Sequence, residues 1–176
     1  MKKMMYILIA ILLAGIVFVL IAANATKHIY LENSITIQAP LERVFSQVRY
    51  LEKFPEWSPF LEVDPTQKIT VTGTDGTIGA QYHWVGNQGK DVGYQELTAM
   101  EEQAKLVFKC TIEKPYTAEP QFTYLFVPVG NTTKIIQQFE LKSGTVNAIF
   151  MWLFGTKKQM QQLNARGLQL LKASVE

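Results

Sequence analysis

The N-terminal 26 residues contain the feature that most restricts the architecture of this chain. Two lysines are followed by an uncharged apolar run from Tyr6 to Ala23, which is 18 residues long. At about 1.5 Å of rise per residue, a helix of this length nearly crosses a hydrocarbon core about 30 Å thick. The rest of the chain alternates apolar and polar residues between turn residues, as a water-soluble domain does. We therefore predict a transmembrane anchor in residues 1–26 and one globular domain in residues 27–176.

The apolar run has a second interpretation, a secretory signal that is removed after export. Residues 23–25, Ala-Asn-Ala, fit the small-residue cleavage pattern of such signals. The run is longer than the roughly 7–15 apolar residues of a typical signal, which favours a retained anchor. Both interpretations place the domain outside the cytoplasm. Lys2 and Lys3 favour a cytoplasmic N-terminus and Lys27 weakens that bias, so we expect a single-pass membrane protein with an extracytoplasmic domain.

The charge of the globular part gives no indication of a nucleic-acid partner. The chain has 17 basic and 15 acidic residues, and without Lys2 and Lys3 the basic residues also number 15. A nucleic-acid-binding domain usually needs a basic face of its own. The single cysteine, Cys110, excludes an intramolecular disulfide and a cysteine-cluster metal site. Since His28 and His83 have no metal-ligand spacing either, we expect no metal and no cofactor.

The periodicity of the globular part predicts a strand, two short helices, six strands and a long helix. Residues 26–38 alternate and predict the first strand. Pro40 then opens a helix with an apolar stripe, and residues 51–57 predict a second helix that ends at Ser58-Pro59. The other strands are predicted at residues 68–74, 81–86, 92–101, 106–112, 121–127 and 134–141. Because turns join these short strands, we predict antiparallel pairing and an α+β fold.

The C-terminal segment has a helical period from Thr145 to the end of the chain. Its predicted apolar stripe consists of Ile149, Leu153, Met160, Leu163, Gly167, Leu170 and Leu171, with Gly155 as a point of weakness. Phe150, Trp152 and Phe154 precede Lys157 and Lys158, and an aromatic and basic helix of this kind can lie against anionic lipid. We favour the alternative, a core helix whose outward face is solvated by lysine and glutamine.

Four segments resemble a known family when they are taken in their order along the chain. They are SITIQAPLERVF at residues 34–45, FPEWSPF at 54–60, IGAQYHWVGN at 78–87 and GLQLLK at 167–172. Residues 30–176 are similar to the polyketide cyclase/dehydrase-like family of the START-like, SRPBCC superfamily. The resemblance implies a helix-grip fold, in which a seven-stranded antiparallel sheet wraps around a long C-terminal helix. It also implies a deep cavity, which in related proteins holds lipids, polyketides or other apolar molecules.

The aromatic residues are the strongest functional signal within this resemblance. They have two interpretations, because large rings dominate buried area in any packed core and also line apolar ligand cavities. The resemblance places Trp57, Phe60, Trp84 and Tyr124 near the cavity. Met160 and Leu163 on the C-terminal helix are expected to line it from the other side. These six residues are our predicted ligand-binding residues.

Residues with catalytic potential are few. Acid–base catalysis requires a titratable group within hydrogen-bond reach of the reacting proton, and Tyr82 and Glu96 on the central strands are weak candidates. Glu96 alternates with residues of a solvent face, which is its simplest interpretation. Cys110 shares a face with apolar residues and is interpreted as a small buried hydrophobe.

The function favoured by these features is a membrane-tethered domain that binds a small hydrophobic ligand, lipid or polyketide-like, without catalysing its conversion. A fold of this kind does not determine its activity. A cyclase or dehydratase acting on an apolar substrate is therefore the first alternative. The second alternative is an interaction or stress-response protein whose cavity is vestigial.

Overall fold

The computed structural model of the protein describes residues 2–176, which form one sheet and five α-helices. The helices are α1 (Lys2–Asn24), α2 (Leu41–Arg49), α3 (Pro59–Val63), α4 (Thr145–Leu153) and α5 (Thr156–Val175). The strands are β1 (His28–Ile37), β2 (Lys68–Thr72), β3 (Gln81–Gly86), β4 (Asp91–Glu101), β5 (Lys105–Lys114), β6 (Gln121–Val129) and β7 (Thr132–Lys142). Short 3-10 turns occupy Leu51–Glu56 and Asn87–Gly89. The predicted fold class is confirmed.

The sheet is antiparallel throughout and has the order β1-β7-β6-β5-β4-β3-β2. The first and last strands in sequence are therefore neighbours, with Ile29 opposite Leu141 and Ile37 opposite Thr133. One face of this sheet carries the core and lies against α2 and α5. The alternation of β1 that predicted a half-buried strand is confirmed, because Ile29 and Ile37 are fully buried.

Helix α1 stands apart from this core. It is 23 residues long, or about 35 Å at 1.5 Å per residue, and it is long and apolar enough to cross a membrane. The side chains along α1 are exposed apart from those near its end, where Ala23 is buried. Every residue of the hydrophobic core cluster comes from Ile29 or later in the chain. The domain that follows α1 thus has a core of its own.

The predicted second helix is close in its position and wrong in its type. Residues Leu51–Glu56 form a 3-10 turn, and a new helix, α3, begins at Pro59 where the prediction had the helical segment end. A proline that follows a helical pattern usually predicts the end of the helix. Here Pro59 occupies the first turn of the next helix, where its fixed φ and missing N–H are no disadvantage.

The prediction of a single long C-terminal helix is also wrong. The segment forms two helices, α4 and α5, which are divided at the predicted point of weakness. Gly155 has φ of +64°, a left-handed conformation that glycine adopts without strain, and α5 starts in a new direction after it. The stripe does not continue across this break. Leu153 is exposed and Leu170 is only partly buried, whereas Leu168, which the stripe left out, is fully buried with Leu171.

The favoured interpretation of α4 as a core helix is likewise wrong for much of its surface. Ala148 and Met151 are buried, but Phe150 and Phe154 are exposed beside each other with nearly parallel rings. Interior packing therefore does not account for these aromatic residues.

Candidate functional site

A cavity of about 320 Å³ lies between the concave face of the sheet and α5. Its volume is at the lower end of the roughly 300–1,000 Å³ that is usual for small-molecule sites. The lining is mainly apolar and aromatic. It consists of Phe54, Trp57, Ser58, Pro59, Phe60, Gln67, Tyr82, Trp84, Asp91, Gln95, Cys110, Ile112, Pro115, Tyr116, Pro120, Phe122, Tyr124, Gln137, Phe139, Met160, Leu163, Asn164 and Gly167.

A chain of edge-to-face aromatic rings forms one wall of the cavity. Phe54 contacts Trp57 and Tyr82 with ring-centroid distances of 4.8 and 5.1 Å, and Trp57 lies 6.0 Å from Tyr124. Edge-to-face pairs at such distances are favourable beyond the area that they bury. The indole nitrogen Nε1 of Trp57 also donates to the carbonyl oxygen of Gln47 at 3.3 Å, which ties the 3-10 turn to α2. The wall is therefore held in a defined arrangement.

Trp84 is placed on the cavity by a glycine on the neighbouring strand. Gly93 is its partner in the β3–β4 register. A Cβ added at Gly93 would lie 2.5 Å from the Trp84 ring and 2.4 Å from the Thr111 carbonyl oxygen, so that only glycine leaves room for the ring. The Trp84 indole Nε1 donates to Asp91 at 3.1 Å. The Trp84 indole thus lies over Gly93 of β4, and its N–H group is fixed by the hydrogen bond to Asp91.

Three buried polar side chains on the cavity have atoms without a hydrogen-bond partner. They are the Tyr82 hydroxyl, Oε1 of Gln137 and Nδ2 of Asn164, and their residues are 2, 4 and 3% exposed. Gln137 Nε2 donates to the Tyr124 hydroxyl at 3.0 Å, which fixes the orientation of that amide. A buried polar group without a partner costs about 1–3 kcal/mol, so that these atoms are positioned to bond a water or a ligand.

Burial raises the pKa of three titratable groups on the cavity, Tyr82, Cys110 and Tyr124. Burial raises the pKa of the Cys110 thiol to about 12. Burial also raises the pKa of the hydroxyls of Tyr82 and Tyr124. For Tyr124 the hydrogen bond from Gln137 lowers the pKa, and the effect of burial is larger. The lining contains one carboxylate, Asp91, which accepts hydrogen bonds from Trp84 and more weakly from Gln67 at 3.5 Å. No lysine, arginine or histidine of residues 2–176 is part of the lining.

The six predicted ligand-binding residues all line this one cavity. Trp57 and Phe60 come from the segment between α2 and β2, Trp84 and Tyr124 from the sheet, and Met160 and Leu163 from α5. Their location agrees with the expectation, and ligand binding by them stays a prediction.

The two weak catalytic candidates lie on opposite faces of the sheet. Tyr82 is buried and lines the cavity, whereas Glu96 is not part of the lining and accepts a hydrogen bond from Gln81 Nε2 at 2.7 Å. The two histidines lie outside the cavity lining as well. His83 is half-exposed, with Nε2 3.2 Å from the Thr72 hydroxyl, and Nε2 of His28 lies 2.9 Å from Glu140. Within residues 2–176, no three His, Cys, Asp or Glu side chains are grouped so as to hold a metal ion.

The sequence interpretation missed the polar part of the cavity. On β7, Gln137 lies between Ile135 and Phe139 on the buried face, so that a polar residue in an apolar alternation was the signal that could have found it. Asn164 lies four residues after Met160 and hence on the same face of α5. Cys110, interpreted only as a core residue, is buried as expected and also lines the cavity.

Comparisons with known proteins agree with this architecture. The sequence model of the family described as "Polyketide cyclase / dehydrase and lipid transport" matches residues 28–176. A solved structure from Nitrosospira multiformis is similar, with 23% identity and a TM-score of 0.56 over 84% of this chain and 96% of that one. A crystal structure from Thermus thermophilus has 19% identity and a TM-score of 0.61 over 83% of this chain and 96% of that one.

A third similar structure is DynU16, which is described as a protein in the dynemicin biosynthetic locus. Its identity is 14% and its TM-score 0.55, over 82% of this chain and 46% of that one. Identities this low show a shared fold and do not transfer an activity. A search of curated proteins finds no match.

Proposed function

The chain belongs to the polyketide cyclase / dehydrase and lipid transport family, and from this premise we propose that it is a membrane-tethered domain that binds a small, uncharged apolar molecule without converting it. The observation that supports this most directly is the composition of the cavity. Its wall is a series of aromatic rings, and its unpartnered polar atoms belong to neutral hydrogen-bonding groups. A ligand with an apolar body and a hydroxyl, carbonyl or amide group would match both parts.

The charge of the cavity lining argues for an uncharged ligand. A carboxylate, sulfonate or phosphate placed there would be desolvated without a cation among the described lining residues, and Asp91 would repel it. Burying an unpaired charge is far more costly than burying a neutral polar group. We therefore expect an alcohol, ketone, phenol, ester or amide, and not a fatty-acid anion.

Binding without conversion is supported by the raised pKa of three side chains on the cavity. A general acid or base works best when its pKa lies near the operating pH. Burial moves the pKa of Cys110, Tyr82 and Tyr124 upwards and away from neutrality. These groups can donate or accept hydrogen bonds, but they are poor nucleophiles and bases in that state.

One observation favours the alternative of a cyclase or dehydratase. The Tyr82 hydroxyl is buried on the cavity without a partner and could polarise a substrate carbonyl as a neutral donor. An enzyme of this kind would lose turnover when Tyr82 is replaced by phenylalanine. A binding protein would retain its affinity for an apolar ligand that has no polar group at that position. The second alternative, a vestigial cavity, is disfavoured by its volume of about 320 Å³.

The expected preference for neutral ligands is testable with two dyes of the same ring skeleton. N-phenylnaphthylamine is uncharged, and anilinonaphthalene sulfonate adds one sulfonate. With residues 27–176, whose core contains no residue of α1, we expect the neutral dye to bind at least about tenfold more tightly, a difference of about 1.4 kcal/mol. Fluorescence titration measures both affinities. Equal affinities, or a preference for the sulfonate, would contradict the proposed ligand class.

The contacts of α1, and of Thr26 just after it, support a retained anchor, and the expected extracytoplasmic side of the domain rests on Lys2 and Lys3. The Thr26 hydroxyl donates to the Ala148 carbonyl oxygen at 2.7 Å, and the rings of Phe18 and Trp152 lie edge to face at 6.3 Å. Removal of residues 1–25 would take away Phe18 and expose the part of α4 that it contacts. Mass spectrometry of membrane-extracted protein is expected to detect the intact N-terminal helix. A mature chain that begins at Thr26 would contradict the anchor.

A further inference from the structure

Helix α4 presents an apolar face that no residue of the described chain covers. Val146, Phe150, Leu153 and Phe154 are 66, 54, 58 and 69% exposed. Their spacing of four, three and one residues places them on one side of a helix. We call these four residues the α4 apolar face. No charged residue occurs in Thr145–Leu153, so this surface has no charged group that would favour contact with water.

The position of α4 indicates what covers this face. The opposite side of α4 packs against the end of α1 through the contact of Trp152 with Phe18, and Thr26, just after α1, donates a hydrogen bond to Ala148. Since α1 is long and apolar enough to cross a membrane, α4 lies beside the point at which α1 would leave the bilayer. The α4 apolar face is thus continuous with the surface that lipid would cover on α1.

The charges beside α4 also fit a lipid surface. Lys157 and Lys158 lie in the first turn of α5, a few residues after the end of α4, and both are exposed. Within residues 2–176 neither forms an ion pair, whereas Arg166 and Lys172 farther along α5 pair with Glu62 and Glu176. Unpaired lysines next to an interfacial apolar helix favour contact with anionic headgroups.

The α4 apolar face is next to the cavity. Tyr116, in the loop between β5 and β6, lines the cavity and also a shallow groove that Phe150 and Phe154 form with Thr156. Tyr116 and Pro115 are among the exposed residues of the cavity lining, so they belong to its rim. A molecule that leaves the lipid beside α4 would therefore reach the cavity past Tyr116.

We propose that the α4 apolar face is embedded in the interfacial layer of the bilayer that α1 crosses, and that the Tyr116 rim of the cavity faces this lipid. This inference rests on the membrane tether of the proposed function. The α4 face then holds the cavity against its source of apolar ligand. The bilayer is the occupant that the contact with α1 and the two lysines favour over a second protein.

Quenching by labelled lipid tests the depth of α4. The full-length Phe154→Cys variant is labelled at the new cysteine with a nitrobenzoxadiazole dye. It is then reconstituted in vesicles of phosphatidylcholine and phosphatidylglycerol. The native Cys110 is buried and resists labelling. We expect doxyl-labelled phosphatidylcholine to remove most of the dye fluorescence. Val146→Cys, on the same face, is a second reporter in case the first variant folds poorly.

The matched control is Val129→Cys, an exposed position at the hairpin between β6 and β7. The 11 residues of β7 separate this hairpin from α4 by about 35 Å, so its dye should be quenched little. Equal quenching at positions 129 and 154 in a chain that floats with the vesicles would overturn the inference and leave the anchor intact. A chain that does not float would overturn the inference and the tether together. Neither result depends on the dye titrations that test ligand binding.

Discussion

Replacing Leu171 by alanine is expected to lower the free energy of unfolding by about 2–5 kcal/mol, the usual range for a large-to-small change in a packed core. Leu171 is 0% exposed and belongs to the cluster that joins α5 to the sheet. Alanine would leave a cavity there, and the lost contacts add to the lost transfer energy of the methyl groups. Urea denaturation of residues 27–176, followed by circular dichroism, measures this difference.

The matched control is the same substitution at Leu153. The helical pattern assigned both leucines to one apolar stripe, but Leu153 is 58% exposed because Gly155 ends α4 and redirects the chain. We expect Leu153→Ala to change the free energy of unfolding by no more than about 0.5 kcal/mol. Similar losses at both positions would mean that the helix continues through Gly155 and that Leu153 is part of the core.

Replacing Met160 by tryptophan is expected to weaken binding of N-phenylnaphthylamine by at least about tenfold, or 1.4 kcal/mol. Met160 is partly buried and lines the cavity from α5, so an indole at this position would occupy ligand space. Because the added atoms enter a cavity and not a filled core, the loss of stability should be smaller than the loss of binding energy. Fluorescence titration and urea denaturation of the same variant separate the two effects.

The control for this variant is Gln159→Trp. Gln159 is the preceding residue on α5 and is exposed, so the same new side chain would enter solvent. Affinity and stability should both remain close to those of the unchanged domain. Unchanged dye affinity in Met160→Trp would mean that Met160 is an ordinary packing residue and that the ligand space is elsewhere.

Local periodicity was sufficient to predict the strands and their antiparallel pairing. The residues of β1 alternate apart from Asn33 on the apolar face, and the turns between later strands leave room only for antiparallel neighbours. Each strand therefore carries its own signal, and errors are confined to a few residues at the ends. The pairing of β7 with β1 was not predicted, since no local pattern contains it.

The C-terminal helices show where local periodicity fails. Apolar residues before and after Gly155 fit one stripe, because a helical wheel does not register a change in helix direction. The exposed side of α4 also looks like a core face in sequence, as Phe150 and Phe154 are apolar in either setting. Which surface covers them depends on the position of α1, and that position is a tertiary property.

The cavity was predictable in its aromatic wall and not in its polar part. Trp57, Trp84 and Tyr124 were identified from the resemblance, which fixes their approximate position in the fold. Gln137 and Asn164 become significant only when β7 and α5 are seen to face each other across an open volume. The unpartnered atoms of these two residues and of Tyr82 are the reason that we expect a polar group on the apolar ligand.

The most direct test of the central claim is the identity of the molecule that copurifies with the full-length chain. Organic extracts of the unchanged protein, Met160→Trp and Gln159→Trp are compared by mass spectrometry, so that lipid bound along α1 appears equally in all three. We expect one neutral apolar species in stoichiometric amount in the unchanged protein and in Gln159→Trp, and its loss in Met160→Trp. The same extract composition in all three proteins would contradict a ligand in the cavity.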